Sequence, residues 1–478
     1  MSQPARTAPR PRLLMVAYYY PPVGGIGAAG SQRVLKFAKY LPASGWSPVV
    51  LTVRESAYES YLALDPSLAA RLPAGIPTVR TRVLRGLTPL LALRAGLKAK
   101  LRGHEALAPA PAPSAPTNGA SRSRLQALKD RITDCFEIPD EEMGWLLPGT
   151  LRGLIALRRE RADAVYATGR PWTGLVIGLL VARLSGRPFV ADFRDPWITN
   201  PFRLPCSPFR ERLEARLESA VIRGARLVIA NTDALRDEFR ARFPLERPEK
   251  FVSLLNGFDP DDFPAAAPPP AGPVTLVHTG FLYLKRDPRT FLEAVARLLA
   301  SGAVPATDLR LRFVGPVELP YGLEAMASQA GLEQVLELTG RVPYAESLAN
   351  LRRAHALLLL QPGTTTQVPS KLFEYIGMQK PILAISPPEG ATGLLVRRHD
   401  LGEVADPDDV PGMAEALARL YRRCRQGGEG LGMPSETLTA FNVRTLTAIL
   451  AQHLDGLAAG TPALAGPRDV LSPSERTP

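Results

Sequence analysis

The stretch Val368-Pro369-Ser370-Lys371-Leu372-Phe373-Glu374-Tyr375-Ile376 carries residue types and spacing that suit a nucleotide. A proline and a serine at the opening of a helix leave the first-turn N–H groups free and aimed outward, and the helix dipole favours an anion there. That is a seat for a diphosphate. Glu374 follows Ser370 by four residues, so it shares a helical face with those donors and can accept two hydrogen bonds from a ribose diol. The plain alternative is a capped helix whose Glu374 faces solvent.

A second chemical signal lies in Gly24-Gly25-Ile26-Gly27-Ala28-Ala29-Gly30, which contains a literal G-x-G-x-x-G, and Glu55 sits just past the next strand pattern. A nicotinamide-dependent oxidoreductase places a glycine loop and an acid in this way. Its fingerprint also needs the first glycine at the strand end, whereas Tyr18 to Val23, with two prolines, intervene here. What remains is a glycine loop whose bare N–H groups can approach phosphates, or a turn that needs glycine only for its φ angles. The five histidines form no catalytic constellation, and His278 lies within a strand pattern as a core or cleft-edge residue. Cys135, Cys206 and Cys424 are odd in number and far apart, giving neither a disulfide framework nor zinc-ligand spacing, which fits a reducing, cytoplasmic setting.

These residues must be held by strands and helices that alternate. Leu13 to Ala17, Val49 to Val53, Ala164 to Ala167, Phe189 to Ala191, Leu227 to Ala230 and Phe251 to Leu255 are short apolar runs separated by helical patterns such as Ser31 to Leu41. The same alternation restarts with Thr275 to Thr279, Leu309 to Val314, Val335 to Leu338, Ala356 to Leu360 and Ile382 to Ile385. The fold class is therefore α/β, with two doubly wound Rossmann-like domains, and ligands are expected at the cleft between the carboxyl ends of their sheets. The expected boundaries are 12–262 for the first domain, a proline-rich linker at 263–273, and 274–435 for the second. A helix at 436–456 is expected to pack back on the first domain, and 457–478 to form a loose tail.

The chain has 478 residues, 45% of them hydrophobic, and a formal charge of +12, which suits anionic partners such as nucleotide phosphates or lipid headgroups. No zinc finger or basic zipper pattern points to nucleic acid. No apolar run approaches the roughly 18 to 20 residues needed to cross a bilayer, and the amino end lacks the apolar core of a secretory signal. Residues 83–103 carry Arg85, Arg94, Lys98, Lys100 and Arg102 among leucines. They are expected either to lie on an anionic membrane surface, at the inner face, or to form an ordinary amphipathic helix on the first domain. The following APAPAPSAPTNGA is expected to be a mobile loop.

Taken in order, AYYYPPVGGIGAAGSQRVLKFAKYLPASGW, VYATGRPWTGLVIGLLVARLSGRPFVADFRDPW, NTDALRDEF, LLNGFDPDDF, HTGFLYLKRDP, RFVGP and VPSKLFEYIGMQKPILA resemble the family-4 glycosyltransferases of GT-B fold. The likeness runs from about residue 13 to residue 410, nearly the whole ordered chain. It implies a hexosyltransferase of polysaccharide biosynthesis that moves a sugar from a nucleotide diphosphate donor to a glycan or lipid-linked acceptor, with retention of configuration and no required cofactor or metal. By position it implies Gly24, Gly25 and Gly27 over the donor phosphates, Asn256 to Asp259 at the crossing between domains, and Lys285 or Arg286, after Gly280, as the cation facing the diphosphate. Pro369, Ser370, Lys371 and Leu372 would open the donor-binding helix, and Glu374 would hold the ribose.

Two departures stand out. Many relatives carry a second glutamate before the ribose ligand, with seven residues between them, where this chain has Thr366. That substitution admits a second reading, a nonenzymatic GT-B partner subunit that binds nucleotide without turnover. Where many relatives carry a histidine, this chain reads Ala191-Asp192-Phe193-Arg194-Asp195-Pro196-Trp197. Asp192, Arg194 and Asp195 are then candidates to bind the donor sugar or the acceptor hydroxyl, the alternative being a buried Asp–Arg pair that holds the loop. Trp172, after Arg170 and Pro171, either lines the sugar site or packs.

Overall fold

The computed structural model describes residues 10–23, 28–58, 64–65, 68, 71, 73–84, 138–203, 206–263, 271–283, 286–426 and 433–459. Two parallel sheets organise them. The first contains β1 (Arg12–Val16), β2 (Ser47–Val53), β3 (Thr78–Thr81), β4 (Ala164–Gly169), β5 (Phe189–Phe193), β6 (Leu227–Ala230) and β7 (Phe251–Ser253), in the order β3-β2-β1-β4-β5-β6-β7. Helices α1 (Ala28–Tyr40), α2 (Leu146–Arg159), α3 (Thr173–Ser185), α4 (Pro208–Gly224) and α5 (Asp233–Arg242) cover it. The central strands are buried on both faces, which is why they read as continuous apolar runs rather than alternating ones.

The second sheet is built from β8 (Val274–Thr279), β10 (Leu309–Val314), β12 (Leu336–Gly340), β13 (Ala356–Leu360), β14 (Ile382–Ile385) and β15 (Gly402–Ala405), in the order β12-β10-β8-β13-β14-β15. A small parallel pair, β9 (Leu282–Tyr283) with β11 (Val317–Glu318), stands outside it. Its helices are α6 (Arg289–Ala300), α7 (Leu323–Gln329), α8 (Tyr344–Arg352), α9 (Ser370–Met378), α10 (Ala391–Arg398) and α11 (Val410–Arg425). Both sheets reverse their strand order at one point, between β1 and β4 in the first and between β8 and β13 in the second. Ligands of such sheets bind outside the carboxyl ends at the reversal. The loops after these four strands are therefore the positions that matter.

The chain crosses between the sheets near residues 254–263 and returns at its end. The helical pattern from Glu436 to Leu454 is two helices, α12 (Ser435–Ala440) and α13 (Val443–Ala458), because Asn442 takes extended backbone and accepts from the Arg444 N–H as the cap of the second. Phe258 pairs with this junction: its N–H donates to Phe441 O at 3.0 Å and its carbonyl accepts from Val443 N–H at 3.0 Å. Leu446, Leu450 and Leu454 of α13 then join Leu13, Met15, Phe37 and Ile229 in one core beneath the first sheet. Segment 85–103, the APAPAPSAPTNGA stretch, 264–270 of the linker and 460–478 lie outside the described residues.

Candidate functional site

The second sheet supplies a basic wall. After β8 the backbone passes through Gly280, whose φ of +150° suits glycine and where a Cβ would lie 3.4 Å from His278 Nε2, and the neighbouring Gly315 lies so close that a Cβ there would meet Gly280 O at 2.0 Å. His278, two residues earlier, has its Nδ1 3.0 Å from Leu358 O, while its buried Nε2 has no partner among the described residues. Burial pushes this imidazole down to about 4, and the fields of Arg286 and Lys371 push the same way. It is therefore neutral and sits beside cations. The Arg286 Nε is buried without an acceptor among the described residues, and its guanidinium lies over the Tyr283 ring at 5.6 Å from the centroid.

Helix α9 opens at the carboxyl end of β13. Pro369 is its cap residue in extended conformation and no side chain closes the turn, so the N-terminal N–H groups are not capped from within. One turn in, Glu374 is nearly buried and accepts from Lys371 Nζ at 2.9 Å. That partner follows from i,i+3 spacing on a helix. Tyr375 on the same helix donates to Leu358 O at 3.2 Å and accepts from Thr279 N–H at 3.0 Å, fixing α9 against β8 and β13. Gly280, Arg286, Pro369, Ser370, Lys371, Leu372 and Glu374 thus follow the carboxyl ends of the central strands β8 and β13. Gly24, Gly25, Gly27 and Lys285 lie outside the described residues.

On the first domain the three candidates at the end of β5 separate into different environments. Asp192 is completely buried and its carboxylate is saturated: Arg33 donates through Nε at 3.0 Å and Nη2 at 2.9 Å, Tyr166 OH at 2.5 Å and Thr168 Oγ1 at 2.8 Å. The Asp–Arg pair is real, but the arginine is Arg33 of α1 rather than Arg194. Arg194 instead donates from Nε to Gly169 O at 2.7 Å and from Nη2 to Arg170 O at 2.5 Å, and its guanidinium occupies the space where a Cβ on Gly30 would be, 2.6 Å away. Asp195 alone reaches across the cleft, accepting from Gln367 Nε2 at 3.0 Å. Beside it, Trp172 stacks on Trp197 with centroids 5.1 Å apart and planes 6° from parallel. Glu55 is half exposed, 3.9 Å from Arg80.

The loop that carries Thr366 is held from both sides. The Thr366 carbonyl accepts from Thr232 Oγ1 of the first domain at 2.7 Å, and Gln367 O accepts from Thr392 Oγ1 at 2.9 Å. Along α1, Arg33, Lys36 and Lys39 recur at i+3 and face the crossing segment. Arg33 also donates to Leu254 O, Leu255 O and Asn256 Oδ1, Lys36 to Gly257 O at 3.0 Å, and Lys39 to Asp259 at 2.8 Å. Burial pushes the Lys36 ammonium down to about 8, against the opposing pull of Glu374 and Asp259. Arg33, Lys36 and Gln367 were not among the residues singled out in the sequence. The three-residue repeat of cations on α1 was the available signal for the first two.

Two parallel sheets with facing reversal points, joined by a crossing and a returning helix, make up the GT-B architecture. Residues 27–257 match the glycosyl transferase 4-like domain, and residues 273–423 match the glycosyl transferases group 1 family. The chain belongs to this family of two-domain glycosyltransferases. Among solved structures it is similar to Anabaena HepE in complex with UDP, at 16% identity over 93% of this chain and 100% of that one, with a TM-score of 0.59. It is also similar to sucrose-phosphate synthase of Thermosynechococcus elongatus, at 13% identity over 95% and 100%, TM-score 0.58. A third is the α,α-trehalose 6-phosphate synthase of Burkholderia multivorans, at 14% over 94% and 99%, TM-score 0.54. No curated protein matches by sequence.

Proposed function

We propose that this protein transfers a hexose from a nucleotide diphosphate donor to a glycan or lipid-linked acceptor with retention of anomeric configuration. The observation that carries the reading is the junction of Glu374, Lys371 and Arg286 at the uncapped start of α9, beside the reversal point of the second sheet. In this reading the second domain, 274–435, holds the donor. Glu374 takes the ribose diol, while Lys371, Arg286 or Lys285 and the first-turn N–H groups of α9 take the diphosphate, with Gly280 leaving room for it. Gly24, Gly25 and Gly27 close over the phosphates from the first domain, 12–262.

The reacting sugar then lies between Asp195 and Gln367, whose mutual hydrogen bond its hydroxyls replace. Asp192 acts as a positioning residue through Arg33 and does not touch substrate, since its lone pairs are already occupied. The acceptor oxygen forms its bond to the anomeric carbon on the face from which the diphosphate leaves. The broken C–O bond gives its electron pair to the diphosphate, and the acceptor proton passes to the departing phosphate oxygen. Fixed cations and helix N–H groups stabilise that developing charge most in the transition state, so this scheme requires no metal.

Turnover of UDP-, GDP-, dTDP- and ADP-linked hexoses, read as nucleoside diphosphate release with and without acceptors, tests the proposal. One donor class should be used, and Asp195→Asn should lower kcat by about 100-fold with a much smaller change in donor KM. Thr366 in place of the upstream glutamate favours the second reading of a nonenzymatic subunit. Nucleotide binding without release under any acceptor would support that reading instead.

A further inference from the structure

One face of the first domain has a composition that water alone does not explain. Helix α2, LLPGTLRGLIALRR, contains no acid, and its outward residues Leu147, Leu151 and Ile155 are 60%, 52% and 54% exposed. They are spaced four apart and so form one stripe on the helix. Scattered exposed leucines are ordinary, but a stripe of three on one helical face marks an interaction site. Arg152, Arg158 and Arg159 are exposed beside it. At the carboxyl end of α2, a hollow of about 440 Å³ is lined by Arg158, Arg161 and Arg187 with Asp163, under Leu184, which is 65% exposed. Of these arginines, Arg187 faces Asp163 at 3.9 Å.

We propose that this face docks on an anionic lipid bilayer, with the α2 stripe entering the headgroup and acyl boundary and the arginine hollow receiving lipid phosphate. Charge decides the occupant. An apolar stripe seeking a second copy or a generic protein patch needs no cationic frame, whereas arginines flanking exposed leucines on an acid-free helix match a negatively charged surface. The chain's formal charge of +12 acts in the same direction at longer range. The surface lies on the first domain, along α2, and Leu84 N–H donates to Gly144 O at 2.9 Å just before that helix begins. It does not rest on the transfer reaction, because docking is read without donor or acceptor.

The test is flotation of the full chain with vesicles of phosphatidylcholine alone or mixed with phosphatidylglycerol. Wild type should float with the mixed vesicles, remain behind with phosphatidylcholine alone, and be released at about 0.5 M salt, where charges are screened within a few ångströms. Replacing Leu147, Leu151 and Ile155 together by serine should lower the partition coefficient by about tenfold or more. Arg158→Glu with Arg161→Glu should do the same. Leu245→Ser, which alters a leucine 97% exposed elsewhere on the first domain, should leave flotation unchanged. Circular dichroism melting of each variant separates loss of docking from loss of fold, since all the altered side chains are on the surface. The inference is overturned if wild type ignores anionic vesicles or the serine variant floats like wild type. It is equally overturned if binding survives the α2 changes and is lost on reversing Arg94, Lys98 and Lys100 to glutamate. Lipid-free self-association that the serine variant abolishes would assign the stripe to a second copy instead.

Discussion

Asp192 and Asp195 are three positions apart and do different work, because one side chain of the β5 end points into the sheet's core and the other toward the second domain. Asp192 meets Arg33 at zero exposure, and all five Arg33 N–H groups are engaged, two on Asp192 and the rest on Leu254 O, Leu255 O and Asn256 Oδ1. Removing one partner of such a buried pair leaves an uncompensated charge. Asp192→Asn should therefore lower the unfolding free energy by about 3 kcal/mol in urea titration while leaving nucleoside diphosphate affinity near wild type. A variant as stable as wild type but inactive would place Asp192 on the substrate. The sequence suggested an Asp–Arg pair but paired the wrong arginine, since Arg33 is 159 positions away and spacing carries no signal across that gap. The Glu374–Lys371 contact, by contrast, is local, and helical spacing alone brings those two side chains together.

At the level of elements, the readable parts were those whose pattern is set locally. Central strands such as Ala356–Leu360 and Ile382–Ile385 are buried on both faces and must be apolar throughout, so they stand out from the chain. The edge strands Thr78–Thr81 and Gly402–Ala405 have one neighbour each and mixed composition, TVRT and GEVA, and they were not foreseen. The break at Asn442 inside an otherwise helical pattern depends on Phe258 pairing with the chain from 184 positions earlier, which no local periodicity reports. That break aims α13 back at α1 and the turn after it. Leu450 sits completely buried in the shared core, so Leu450→Ala should cost about 3 kcal/mol by chemical denaturation. A cost under about 0.5 kcal/mol would mean that α13 rests on the first domain without sharing its core.

Over the whole molecule, two sheets present their reversal points to each other, and among the described residues the contacts that span the gap include Gln367 to Asp195 and Thr232 to Thr366 near the candidate site, with Arg71 over the Tyr344 ring closer to the crossing. An interface of this kind can part and re-form around a ligand, as relative domain motion in such chains requires. The α1 face of Arg33, Lys36 and Lys39 grips the crossing segment and so couples the helix behind the glycine loop to the path between the domains. The central claim is that a nucleoside diphosphate binds at α9 through Glu374. Its most direct test is the melting temperature of wild type and Glu374→Ala with UDP, GDP, dTDP, ADP and NAD, because a ligand that binds only the folded state raises it. One nucleoside diphosphate should stabilise wild type by several degrees and lose that effect in the variant. Stabilisation by NAD alone, or equal stabilisation of both proteins, would contradict it.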